Sequence, residues 1–182
     1  MLLNSRASSY YFVFPRGFFP EKVVQKYKPY VYKQPLQYDT VPDFINSTIQ
    51  SVSFPSMNID TVEQVRPLGK KIAYKSATPI QDLFTREFNI TFRCVEGFTN
   101  YWIFLETVLF FLNFKNDQLF IQDLPLRLLD NDGNIMTTVR FKEVTITSFS
   151  ELQLNYTQNN YQTNTFSVGF KCNYIDIDLE IG

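Results

Sequence analysis

The sequence predicts a mainly β protein, an antiparallel β-barrel or sandwich with one flanking α-helix at about residues 98–114. Three observations carry that expectation. Apolar and polar residues alternate with period two over much of the chain; a single long apolar run has spacings of three and four instead; and Pro, Gly, Asn and Asp separate the segments.

Taken in order, Ser9–Phe14 reads as a first strand, and Phe44–Phe54, Lys70–Ser76, Gln118–Ile121, Leu126–Leu129, Ile135–Phe141 and Val144–Phe149 read as others. The clearest alternation runs from Glu87 to Cys94. Phe88, Ile90, Phe92 and Cys94 share one face, and Glu87, Asn89, Thr91 and Arg93 the other, as in a half-buried strand. Near the C-terminus Phe166, Val168, Phe170 and Cys172 repeat the pattern against Ser167, Gly169, Lys171 and Asn173. After Cys172 the phase slips: Ile175, Ile177, Leu179 and Ile181 alternate with Asp176, Asp178 and Glu180. A bulge or a change of partner sheet near Asn173–Tyr174 accounts for the slip. Asp130-Asn131-Asp132-Gly133-Asn134 lacks the glycine at position six and the glutamate at position twelve of a calcium loop, so a hairpin turn is expected there.

The helical segment spans Phe98–Phe114. Its Asn100, Glu106 and Asn113, and a length short of the roughly 20 apolar residues a span needs, argue against membrane insertion. Trp102, Leu105, Leu109 and Leu112 fall on one face, with Thr99 or Asn100 available as a cap. Ile103, Phe104, Val108, Phe110 and Phe111 widen the apolar surface, so cover is expected on more than one side, part of it from a neighbouring subunit.

Pro20–Pro42 breaks the rhythm. Pro29 and Pro35 lie inside it, and Lys22, Lys26, Lys28 and Lys33 interleave with Tyr27, Tyr30, Tyr32 and Tyr38. The prolines predict an extended arm. Basic residues among aromatics can stack on and neutralise single-stranded nucleic acid; the competing use is an arm that packs its tyrosines on another subunit.

The 182 residues carry 17 Lys+Arg and 18 Asp+Glu, a formal charge of −1, and no histidine. Histidine-based triads, histidine zinc ligands and histidine pH switches are therefore excluded within one chain. The balanced charge argues against a general DNA or membrane-surface binder. Cys94 and Cys172 are the only cysteines, too few for a zinc site, and are expected as buried reduced thiols. The start Met-Leu-Leu-Asn-Ser-Arg shows no secretory pattern. Asp39 with Asp43, and Asp130 with Asp132, read as turn residues, so no catalytic, cofactor or metal site is expected. Aromatics are 17% of the chain, which suits either a large aromatic core or surfaces buried by a partner.

The run Val144–Tyr156, then Asn160 and Thr165–Tyr174, resembles the C-terminal part of the tail-tube protein of contractile-tailed (T4-like) bacteriophages. That family ends in a strand, Glu-(Leu/Ile)-x-Leu-(Asp/Asn)-aromatic, a polar linker, and Thr/Ser-Phe-x-Val heading a last strand that ends in aromatics. Glu151, Leu152, Leu154, Asn155, Tyr156, Phe166, Val168 and Tyr174 match in place. Upstream, Tyr11–Phe14, Ser47–Pro55, Lys70–Ser76 and Phe88–Cys94 follow the family's element order.

The resemblance implies a single tail-tube-like domain over 1–182, with an arm at 20–42 and a C-terminal extension at 175–182, sharing the fold of type VI secretion ring proteins. It implies a structural, non-enzymatic virion protein without cofactors, made and assembled in the host cytoplasm and located in the virion tail. Its hexameric rings would stack into the inner tube, with sheath, tape-measure and baseplate proteins as partners and DNA passing through the lumen without sequence-specific binding. The alternative is a baseplate tube-initiator or adaptor ring of the same fold. Inter-ring contacts are expected from Met57, Ile59, Val62, Val65 and Leu68, because the family's long connection there reaches the next ring. Asp176, Asp178 and Glu180 form an acidic face that suits a lumen, a ring interface or plain solvent. The extension can also add a strand to a neighbour's sheet.

Overall fold

The computed structural model describes residues 10–15, 17–34, 38–56, 61–67, 69–75, 85–113, 120–121, 123–152 and 164–180. Among the described residues there are ten strands: β1 Tyr10–Phe12, β2 Ile49–Val52, β3 Thr61–Val65, β4 Lys71–Lys75, β5 Glu87–Arg93, β6 Leu124–Leu129, β7 Ile135–Lys142, β8 Thr145–Phe149, β9 Thr165–Lys171 and β10 Tyr174–Leu179. The helices are α1 Glu21–Val31, α2 Val41–Ser47 and α3 Thr99–Phe111. All strand pairs are antiparallel, in a first sheet ordered β1-β6-β7-β10, a second ordered β2-β5-β9-β8, and a separate β3-β4 hairpin.

The second sheet follows directly from the alternation. Phe88, Ile90 and Phe92 of β5 stand opposite Phe170, Val168 and Phe166 of β9, all six fully or almost fully buried. Phe88 stacks on Phe170 at 5.2 Å and Phe92 on Phe166 at 5.1 Å. Burying each such side chain contributes about 1.5–3 kcal/mol, and each ring pair about 0.5–1.5 kcal/mol more. Gly169 on the opposite face has no room for a side chain, since a Cβ there would lie 2.1 Å from Ser148 Oγ and 2.9 Å from Asn89 Oδ1.

The first sheet closes over this one at a steep angle. Phe14, just past β1, lies 6.1 Å from Phe92, whereas Phe141 of β7 stacks at 4.1 Å on Phe88 at the other end of β5. A row running across the strands of the first sheet thus lies along a strand of the second, the geometry of crossed sheets. The phase slip after Cys172 is a change of sheet: β9 ends at Lys171, and Ile175 pairs with Phe141 of the first sheet. The extension therefore adds β10 to its own chain's sheet, as an edge strand.

The mainly β antiparallel architecture and the long helix match expectation, but two further helices replace the expected extended arm and the start of the expected strand Phe44–Phe54. Pro20 stands at the N-cap of α1, where it has no donor to lose, and Pro29 falls in the last turn, two residues before the helix ends. Thr40 caps α2 by accepting from Asp43 N at 3.2 Å, and Pro42 sits in the first turn, where its missing N–H goes unnoticed. Strand pairing then begins at Ile49. For the expected strand Gln118–Ile121, residues 118–119 lie outside the described residues, and Ile121 forms a single bridge to Val144. Asp130–Asn134 is a hairpin turn: Asp130 Oδ1 accepts from Asn134 N and Asp132 N, each at 2.8 Å, with Gly133 at φ 90°. No helix among the described residues is long and apolar enough to cross a membrane.

Candidate assembly surfaces

Helix α3 is pinned to the sandwich by its first and buried turns. Asn100, fully buried, donates Nδ2 to Arg93 O at 2.8 Å and accepts from Val95 N at 3.3 Å, so it ties the helix to the end of β5 and does not cap it. Phe98, at a left-handed φ of 54°, occupies the N-cap without a side-chain bond. Ile103, Phe104 and Thr107 complete the buried side, and Thr107 satisfies its hydroxyl on Ile103 O. The stripe picked out by spacing points the other way. Trp102, Leu109 and Leu112 are exposed, the last two at 57% and 63%, and Leu105 is half-buried. An apolar helix face left in water is a candidate interaction surface.

The β3-β4 hairpin stands apart from both sheets. Val62 and Val65 are exposed, Val65 at 66%, and Tyr74 is exposed with its hydroxyl accepting from Arg66 Nη2 at 3.0 Å. A surface ion pair, Lys71 to Glu63 at 3.4 Å, adds little. A two-stranded hairpin without a buried face is marginal alone in water, so these residues gain most by packing on another molecule. Met57, Ile59 and Leu68, the other candidates for contacts between rings, lie outside the described residues.

In the 20–42 segment the four tyrosines separate. Tyr30 and Tyr32 are exposed, the latter donating to Asp39 O at 3.0 Å, while Tyr38 packs edge-on to Phe44 at 5.4 Å and Tyr27 is half-buried. Tyr27 donates to Glu106 Oε1 at 2.8 Å, and Lys26 forms an ion pair with the same oxygen. This clasp joins α1 to α3. Burial and the carboxylate beside it push the Tyr27 phenol well above its usual range. For Glu106 burial opposes ionisation, but the bonds from Lys26 and Tyr27 outweigh it and hold the carboxyl below its usual value. No local spacing reveals this cluster, because its members are brought together from distant parts of the chain. A single acid inside an otherwise apolar helix was the available hint.

The acidic residues of the C-terminal segment do not form a bare negative strip. Asp178 pairs with Arg140 Nε at 2.8 Å, Asp176 forms an ion pair with Lys142, and Glu180 accepts from Thr138 Oγ1 at 2.9 Å. The Asp178 and Asp176 carboxylates raise the pKa values of Arg140 and Lys142 in turn. The face is a cross-strand charge ladder. Of the residues shared with the resemblance, Phe166 and Val168 lie in the core, Tyr174 is exposed at the head of β10, Glu151 is exposed and Leu152 half-buried. Leu154, Asn155 and Tyr156 lie outside the described residues. Among the described residues no three His, Cys, Asp or Glu side chains gather as metal ligands. Burial raises the pKa values of the Cys94 and Cys172 thiols.

No protein-family model and no curated protein matches the sequence. Solved structures do resemble it. The cryo-EM structure of the anti-feeding prophage cap, a tube-terminating cap, superposes with a TM-score of 0.57 at 10% identity, over 98% of this chain and 93% of that one. A chain of the anti-feeding prophage baseplate, 6-fold symmetrised, does so with a TM-score of 0.51 at 8% identity, over 97% of each chain. At such identities the likeness concerns the fold, and it extends over almost the whole chain. The chain carries a tail-tube-like fold, shared with this tube-terminating cap and this baseplate chain.

Proposed function

We propose that this protein is a structural subunit of the tube of a contractile tail, forming homo-hexameric rings that stack around a lumen. The observation that carries the reading is the apolar surface outside the sandwich on a fold of this kind: the outward stripe of α3 and the β3-β4 hairpin. Neither surface is needed to close the core, and both suit burial by a neighbour. In a ring such contacts are heterologous and must close on themselves. Val62 and Val65, together with Met57, Ile59 and Leu68, are our candidates for contacts between rings. Tyr27, Tyr30, Tyr32 and Tyr38 lie on the segment we assign to contact with sheath or baseplate components.

A tube that conducts DNA must not hold phosphates in a sticky basic array. On the face that carries it, the charge ladder of Asp176 and Asp178 with Arg140 and Lys142 meets that condition by pairing its own cations. The role needs no cofactor and no catalysis.

A second reading has its own support. Helices α1 and α2 enlarge the fold, and the two likenesses described above are to a tube-terminating cap and a baseplate chain. A terminal or initiating ring would carry such additions. Negative-stain electron microscopy over a concentration range separates the two: hollow stacks of six-fold rings support the tube subunit, single rings that do not grow support the end ring, and monomers at every concentration sink both.

A further inference from the structure

The inserted helix α1 and the C-terminal strand β10 flank the first sheet on opposite sides. Phe14, beside β1, touches Phe18 ahead of α1 at 4.6 Å and Phe104 of α3 at 5.6 Å, so both helices stand at the β1 edge. β10 is the other edge, three strand spacings or roughly 14 Å away. Between α1 and α3 runs an open cleft of about 590 Å³, with Lys22, Val23 and Lys26 on one wall and Glu106, Leu109 and Phe110 on the other; Lys26 is already paired with Glu106, so Lys22 is the cation placed to take an incoming carboxylate.

The strand at the far edge has the complementary pattern. Ile177 and Leu179, 62% and 67% exposed, lie on one face, and Asp178 and Glu180 on the opposite one. Among the described residues its only strand partner is β7. Alternate side chains of a strand point to opposite sides. A strand entering the cleft by its free edge therefore presents isoleucine and leucine to Leu109 and Phe110 and a carboxylate to Lys22. A carboxylate accepts several hydrogen bonds, so Glu180 can keep Thr138 while it meets Lys22.

We propose that β10 of one copy docks in the α1–α3 cleft of the next copy, as the head-to-tail contact of the ring. The two sites stand too far apart to meet within one chain, so the contact passes from copy to copy and ends only when a ring closes. The proposal rests on the ring reading above and names the surfaces that build it.

The test is a charge swap with a cross-link, on the full chain. Lys22→Glu alone, and Glu180→Lys alone, should each raise the concentration at half-assembly about tenfold, and the double variant should return it to within about twofold of the parent. With Leu109→Cys and Leu179→Cys combined, mild oxidation should give a disulfide ladder up to the hexamer that neither single variant gives. Rings that form without the ladder and ignore the charge swap would overturn the docking while leaving the ring reading intact, and would assign the cleft to another chain. A chain that stays monomeric throughout would overturn both.

Discussion

The interior between the two sheets and the outward side of α3 are built from the same residue types and end in opposite environments. Phe88, Phe92, Phe141, Phe166 and Phe170 are sealed inside, each touching other rings, while Trp102, Leu109 and Leu112 of α3 face solvent and the hairpin valines do the same. The difference separates two uses of apolar surface. The interior stabilises one chain; on the function proposed above, the exterior has its effect only when a second chain covers it. Damage to the first should be read in the stability of the monomer, and damage to the second in assembly alone.

The largest expected loss of stability is Phe92→Ala, at the crossing of the sheets, where the ring meets Phe14, Phe104 and Phe166. We expect a cost of about 3–5 kcal/mol in chemical denaturation; a loss below about 1 kcal/mol would mean that the interior is not the source of stability. Gly169→Ala comes next, at about 1–3 kcal/mol, because the added methyl meets Ser148 and Asn89, and the same denaturation measurement reads it.

Glu106→Gln tests the boundary between the two regions, since Glu106 ties α1 to an otherwise apolar helix. The expected cost at neutral pH is about 1 kcal/mol, modest because Lys26 is well exposed. The folded-state pKa of Glu106 is lowered, so the clasp contributes fully above the unfolded value, about 4.3, and its contribution is lost as pH falls through the folded value. Thermal melts of parent and variant should therefore converge once the pH has fallen below the lowered folded-state pKa of Glu106, whereas a gap that persists in fully protonating acid would mean that packing, not charge, makes the difference.

Val65→Asp should have the smallest effect on the folded chain, within about 0.5 kcal/mol, because the side chain lies in water. Its effect should appear instead as a loss of stacked rings under the electron microscope. A large loss of stability with assembly intact would reverse the assignment of the hairpin.

Much of the sandwich was legible because period two survives wherever a strand buries one face, as in Phe88-Ile90-Phe92, and even the change of sheet near Asn173–Tyr174 left its mark as a phase slip. The helices were legible unevenly. α3 announced itself, yet the stripe most regular in spacing proved to be the outer one, because period alone cannot tell a face turned to the core from one kept for a partner. The prolines hid α1 and α2, because Pro20 and Pro42 lie at helix starts and Pro29 near an end, positions where the missing N–H costs little. The signals were present in Val23, Tyr27 and Val31 at four-residue steps and in the Thr40-x-x-Asp43 cap. The ion pairs that neutralise Asp176 and Asp178 were not legible, since they depend on the register between β7 and β10.

The central claim is that apolar surface outside the sandwich is interface. Sedimentation velocity of the purified full chain over a wide concentration range tests it most directly. The account predicts a boundary that moves from monomer to hexamer and then to larger stacks as concentration rises. A single monomer boundary up to the solubility limit would contradict it.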